Sequence, residues 1–145
     1  MSDIAVHTEA TVLQFLETAA ALERRLDRVL ANTKGISFSE YRLLKTLAEA
    51  SAGGLPRIEL ASSVGLTASA VTRALKPLEK LGYIATERSE RDARQSLASI
   101  TSAGNELLAD AQSILRDGLR ELPVNTLNQQ KVTEFQARLS ELNGR

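Results

Sequence analysis

Cysteine is absent from the 145 residues, histidine occurs once and tryptophan not at all. Without a thiol there is no disulfide, thiolate metal ligand, cysteine nucleophile or thiol redox sensor. A reducing cytoplasm suits such a chain. His7 is the single imidazole, no glycine-rich phosphate loop occurs and no carboxylate pair stands out. The ordinary nucleophile and metal schemes therefore lack parts, and the expectation is a non-enzyme with no metal and no other cofactor. Net charge is missing as well: 18 Lys and Arg balance 18 Asp and Glu, so any affinity for nucleic acid must come from local clustering. No apolar run approaches membrane-spanning length, and "MSDIAVHTEATVLQF" places an Asp and a Glu where a signal peptide carries positive charge. The chain is expected to be cytoplasmic, with no membrane partner.

What is present is the composition of one folded domain, 43% hydrophobic and 25% charged. Between residues 8 and 30, Val12, Leu16, Ala19, Leu22, Leu26 and Leu30 trace one face of a long helix, and Leu13, Phe15, Ala20 and Val29 widen it. So broad a face has more than one partner to pack against. Gly35 suits the C-terminal turn of this helix, and "SFSE" at 37–40 carries the Ser and Glu of a capping box ahead of a second helix. That helix stops at "SAGGLP", and Pro56 suits the first turn of a short third helix with Ile58, Leu60, Ala61 and Val64 facing inward. Then come Gly65 and a fourth helix capped by Thr67, with Val71, Ala74, Leu75, Leu78 and Leu81 at helical spacing. A short helix, a turn containing Gly and a second, capped helix form a helix-turn-helix layout.

After Gly82, the runs "YIATER" and "SLASI" flank the charged "SERDARQ" and read as a β-hairpin. Thr101 suits the cap of a fifth helix whose apolar face runs Leu107, Ala111, Ile114, Leu115 and Leu119. Pro123 interrupts it, and Leu127, Val132, Phe135, Leu139 and Leu142 mark a last helix with heptad-like spacing.

The charges are not spread evenly. Residues 57–94 hold seven basic side chains against five acidic ones, a small excess on the fourth helix and the hairpin. On that helix Ser69, Thr72, Arg73 and Lys76 lie away from the Val71, Leu75, Leu78 stripe, as a major-groove reader requires, and backbone N–H groups at the Thr67 end suit phosphate. An ordinary amphipathic surface helix explains the same pattern equally well. Pro77 removes a hydrogen bond from the helix and crowds the carbonyl of Arg73, which predicts a straight segment over 68–76 and a turn into the hairpin after it. The hairpin stretch "RSERDARQS" reads on composition alone as a solvated turn that keeps a strand edge soluble.

"DARQSLASITSAG" changes that reading. Together with "ELASSVGLTASAVTRALKPLEKLGYIATERS", it resembles the multiple-antibiotic-resistance regulator (MarR) family of winged helix-turn-helix transcription factors, and the resemblance runs over nearly the whole chain. It implies a mainly α fold with a small β-hairpin wing over residues 1–145. Residues 37–101 would be the winged DNA-binding part, and 1–34 and 102–145 the helices that intertwine in a homodimer. The function implied is sequence-specific regulation of transcription, as a repressor at a pseudo-palindromic operator in double-stranded DNA. By position, Arg94 corresponds to the wing-tip Arg that enters the minor groove and Asp92 to the acid that braces it. Ser69, Thr72 and Arg73 fall on the recognition helix; Lys76 and Arg91 suit phosphates, and Arg88 the support of the wing. Pro77 departs from the commonest recognition-helix pattern, and the absence of cysteine argues against the peroxide-sensing branch. Relatives released by a small aromatic or anionic effector suggest Phe15, Tyr41 and Arg42 as pocket residues. Taken singly, Phe15 and Tyr41 read as core, Arg42 as a surface charge and His7 as a bystander. The alternative from another class is a winged-helix module that binds another protein and no DNA.

Overall fold

Among the residues described by the computed structural model, 2–50, 52–122 and 128–144, six helices and three strands follow in the order α1 (Ser2–Lys34), α2 (Phe38–Glu49), β1 (Leu55–Pro56), α3 (Arg57–Val64), α4 (Ala68–Lys80), β2 (Ile84–Arg88), β3 (Ser96–Ile100), α5 (Ser102–Arg120) and α6 (Gln129–Leu142). The architecture is mainly helical, with one small antiparallel sheet in the order β1-β3-β2. No helix among the described residues is long and apolar enough to cross a membrane. Pro123 and Leu127 lie outside the described residues.

α1 ends where a glycine permits it: Gly35 has φ +69°, and its N–H returns to the carbonyl of Ala31 at 3.1 Å. Only two residues later the capping box closes. Ser37 Oγ accepts from the Glu40 N–H at 3.0 Å, and Glu40 Oε2 accepts from the Ser37 N–H at 3.1 Å. Asp27, from α1, accepts the Phe38 N–H at 2.8 Å, so the first turn of α2 is held from two elements. Burial raises the Glu40 pKa; the Ser37 N–H opposes that shift and the charge of Asp27 adds to it.

The core is one cluster in which Leu30, Leu43, Leu44, Leu60, Val71, Leu75 and Leu78 are fully enclosed, joined by Ile84, Ala98, Leu107, Leu108 and Ala111. It is built from the winged region together with α5. α1 adds Leu30, with the partly buried Leu26 packed against the cluster, and no described residue of α6 is buried within this chain. Three expected core positions are corrected. Ile58 is 74% exposed because, at about 100° per residue, it projects nearly opposite Leu60 on so short a helix. Leu81 is 65% exposed because it is the C-cap of α4, where the chain leaves the helical stripe. Leu119, expected on the inner face of α5, is 41% exposed, whereas Leu107, Ala111 and Leu115 are buried there as expected.

The hairpin pairs Ile84 with Ile100 and Arg88 with Ser96, in antiparallel register. A third strand, not foreseen from the sequence, pairs Leu55 with Ala98 and Pro56 with Leu97. Gly54 makes that approach possible: its φ is +82°, and a Cβ there would collide with the carbonyl of Ala98. α4 continues through Pro77 to Lys80 without interruption. The expected end of the helical reading segment at Pro77 is thus corrected, and the turn falls at Leu81 and Gly82, where φ is +79°.

Gly104, in the first turn of α5, is buried, and a Cβ there would meet the Tyr83 carbonyl and lie 2.7 Å from Ile100 Cγ1. Replacing Gly104 by Ala is expected to destabilise the fold by about 1–3 kcal/mol through overpacking, read as a lower denaturant midpoint at an unchanged m-value. A second expectation concerns pH. A carboxyl with a raised folded-state pKa binds more protons folded than unfolded, so its contribution to stability falls as the pH rises through the shifted range. Glu40→Gln keeps a capping acceptor and removes that titration. Its stability relative to the parent should therefore improve as the pH rises from the ordinary carboxylate range through the raised one, as measured by denaturant unfolding at each pH.

Candidate nucleic-acid interface

Two elements present the outward charge. α4 starts at Thr67, whose Oγ1 accepts from the Ala70 N–H at 3.2 Å and lies 3.3 Å from Ser69 Oγ. The cap satisfies one N–H of the first turn and leaves the others directed out of the N-terminus. With Val71, Leu75 and Leu78 locked in the core, the opposite face is set: Ser69, Arg73 and Lys76 are exposed. Thr72 is half-buried at the edge of that face, and its hydroxyl donates to the Ala68 carbonyl at 3.0 Å.

The wing tip is shaped by backbone capture. Ser89 Oγ accepts from the N–H groups of Arg91 (3.2 Å) and Asp92 (3.4 Å), and the Gln95 N–H donates to the Asp92 carbonyl at 2.9 Å. Asp92 Oδ1 accepts from the Arg94 N–H at 3.0 Å, the geometry of an Asx turn. The brace thus acts on the Arg94 backbone. No ion pair joins Asp92 to a guanidinium among the described residues. Arg88, Arg91 and Arg94 are all exposed.

The distribution of ion pairs separates this surface from the rest. Among the described residues, pairs form at Arg25–Glu121, Lys34–Asp110, Lys45–Glu49, Arg120–Asp117 and Arg138–Glu141. All lie outside residues 57–94. Arg73, Lys76, Lys80, Arg88, Arg91 and Arg94 carry no internal counter-charge within pairing distance, although Glu79, Glu87, Glu90 and Asp92 are near in sequence. These cations stand exposed to solvent. Arg57 contributes least, being half-buried at the start of α3 with its Nε enclosed and unpartnered.

The suggested effector residues are not brought together within one chain. Phe15 lies 12 positions before Asp27, about 18 Å along α1 from the joint with α2. It lines a groove of about 880 Å³ between α1 and α6, with His7, Val12, Leu16, Phe135 and Arg138. Tyr41 instead stacks on Phe38, with ring centroids 6.0 Å apart, and packs against the core. Arg42 is half-buried on α2 and is not among the residues that line this groove. Among the same residues no cluster suited to a metal ion occurs.

A helix-turn-helix followed by a paired wing defines the winged helix-turn-helix class. A MarR family sequence model matches residues 34–95, from the end of α1 to the wing tip. The fold is similar to that of Sco3205, a MarR family transcriptional regulator from Streptomyces coelicolor solved in complex with DNA, with 27% identity over 93% of this chain and 84% of that one and a TM-score of 0.84. AbsC, a MarR family transcriptional regulator from S. coelicolor, superposes with a TM-score of 0.80 at 20% identity, covering 94% of this chain and 95% of its own. MepR of S. aureus, solved as a DNA complex, does so at 0.78 and 20%, covering 92% and 96%. No curated protein sequence is significantly similar to the chain. Residues 34–95 are thus similar to the MarR family of transcriptional regulators, and the described fold as a whole is similar to that of MarR family regulators of known structure.

The Asx turn yields a local prediction. Asp92→Ala should increase the picosecond-to-nanosecond mobility of the Arg94 amide in NMR relaxation, whereas Asp92→Asn, which keeps the Oδ1 acceptor, should leave it near the parent value.

Proposed function

We propose that the protein is a cytoplasmic, homodimeric regulator that binds double-stranded DNA in a sequence-specific manner and represses transcription from a pseudo-palindromic operator. The observation that carries this reading is the set of exposed, internally unpaired cations on α4 and the wing. Unneutralised Lys and Arg on a face of fixed shape are what phosphate neutralisation and counterion release require. The complex of Sco3205 with DNA supports the same reading. In this proposal residues 37–101 form the DNA-binding part. Arg73 and Ser69 meet base edges in the major groove, and Lys76, Arg91 and the N–H groups behind Thr67 meet phosphates. Thr72 plays a lesser part, since its hydroxyl is already engaged with Ala68. Arg94 enters the minor groove, its backbone held by Asp92, and Arg88 supports the wing or meets the backbone.

Helices within 1–34 and 102–145 form the dimer in this proposal. Val6, Val12, Leu13, Phe15 and Leu16 of α1 and Phe135 and Leu142 of α6 are between 39% and 69% exposed, which a second copy relieves. A small aromatic or anionic effector belongs to the same proposal. Phe15, in the groove with His7 and Arg138, is better placed to meet it than Tyr41 or Arg42. Titrating an aromatic carboxylate into the protein–DNA complex and following release tests that element.

The DNA reading is tested by selecting genomic fragments with purified protein and titrating the enriched site at several salt concentrations. Arg94→Ala should weaken binding by about 1–3 kcal/mol, and Lys76→Ala should weaken all sequences alike while lowering the salt slope by about one. Unchanged affinity for Arg94→Ala at fixed salt removes the wing from the interface. Absence of any salt-sensitive binding by the parent favours a module that binds another protein.

A further inference from the structure

An interior proline costs a helix about 3 kcal/mol, because its N–H is missing and its ring crowds the carbonyl four residues back. Two structural jobs commonly offset that: stopping a helix or filling a place in the core. Pro77 does not stop α4, which runs on to Lys80 and ends through Leu81 and Gly82. Nor does it fill the core, since it is exposed.

Its position on the helix is informative. With about 100° per residue and Arg73 as the reference direction, Lys80 lies within about 20°, Ser69 about 40° to one side and Pro77 about 40° to the other. The buried Val71, Leu75 and Leu78 all point about 140° or more away from Arg73. The proline ring is therefore an apolar spot beside three unpaired cations, Arg73, Lys76 and Lys80. A complementary ligand has dense negative charge with a small apolar group between the charges. The major groove of duplex DNA offers that combination in the C5-methyl of thymine. RNA lacks the methyl, and its deep, narrow major groove excludes a helix. The pyrrolidine ring has essentially no rotamer freedom to lose on contact, unlike the long side chains around it.

We propose that Pro77 is a specificity-determining residue whose exposed ring, on the outward face of α4 beside Arg73 and Lys80, contacts a thymine methyl group in each half-site. The inference rests on the DNA-binding reading above and deepens it. A proline at this position gives a reason for a locally unfavourable residue in an unbroken helix: its effect is realised only on DNA.

The test replaces each thymine of the selected site in turn by deoxyuridine, which removes the methyl alone, and titrates the parent, Pro77→Ala and Pro77→Val at fixed salt. Circular dichroism and thermal unfolding establish that the variants are folded; each restores a helix N–H and should melt no lower than the parent. For the parent, one uracil position per half-site should reduce affinity about fourfold, the worth of one buried methyl. Pro77→Ala should bind thymine and uracil sites equally, and Pro77→Val should keep the discrimination through its own methyl groups. The proposal is overturned if the parent shows no sensitive position, if Pro77→Ala remains as sensitive as the parent, or if Pro77→Val loses the discrimination. Failure of the parent to bind any fragment would instead overturn the DNA-binding reading itself, so the two failures are distinct.

Discussion

The end of the recognition helix, the start of the wing and the return of the wing into α5 meet at Thr101. Its hydroxyl donates to the Gly82 carbonyl at 2.6 Å and accepts from the Gly104 N–H at 3.1 Å, while its own N–H donates to the Tyr83 carbonyl at 3.0 Å. One residue thus caps α5 and ties β3 to the turn that ends α4. Gly104 lies directly against that junction, where even one added carbon would meet the Tyr83 carbonyl. The relative placement of α4 and the wing follows from this short knot of bonds, two of them made by the Thr101 hydroxyl. Flexible side chains play little part in it, so the spacing between the helix face and the wing is rigid at little entropic expense.

Beyond the knot, the chain divides its surfaces by chemistry. The winged region encloses its own leucine-rich core and leaves cations outside. The long α1 and the terminal α6 do the reverse, enclosing almost nothing and leaving apolar side chains outside. Among the described residues the cations of α4 and the wing form no ion pair, and the apolar side chains of α1 and α6 stand exposed, so a neutral chain presents a cationic face and an apolar one. Between the two regions, Asp27 of α1 holds the first N–H of α2, and Lys34 pairs with Asp110 of α5 at 3.0 Å. Those contacts fix α1 against α2 and α5.

Signals confined to a few residues were the legible ones. Ser37 with Glu40, Gly35, Thr67 and Thr101 all perform the capping roles their residue types suggest, because caps are satisfied within one turn. The wing hairpin was legible from its flanking apolar runs. β1 was not: two residues carry no alternation, and their pairing with β3 depends on a distant approach that Gly54 permits. Ile58 and Leu81 were misplaced because counting apolar residues assigns a face without asking where a short helix begins or ends. Pro77 was expected to divide α4 and does not, since the core side of the helix is held on both sides of it by Leu75 and Leu78. At the site, the exposure of Arg73, Lys76 and Arg94 followed from the helix stripe and the hairpin. The attachment of Asp92 to the Arg94 backbone, and the absence of internal counter-charges, could be read only from coordinates. Within one chain Phe15 stands apart from Tyr41 and Arg42, a separation that follows from the length of α1.

Hydroxyl-radical footprinting of the protein on its selected DNA site is the most direct measurement of a dimer that reads DNA with α4 and a minor-groove wing. Two equivalent protected regions related by a two-fold axis, their centres about one helical turn apart and each extending into a flanking minor groove, are predicted. A single asymmetric footprint, or uniform protection independent of sequence, would contradict it.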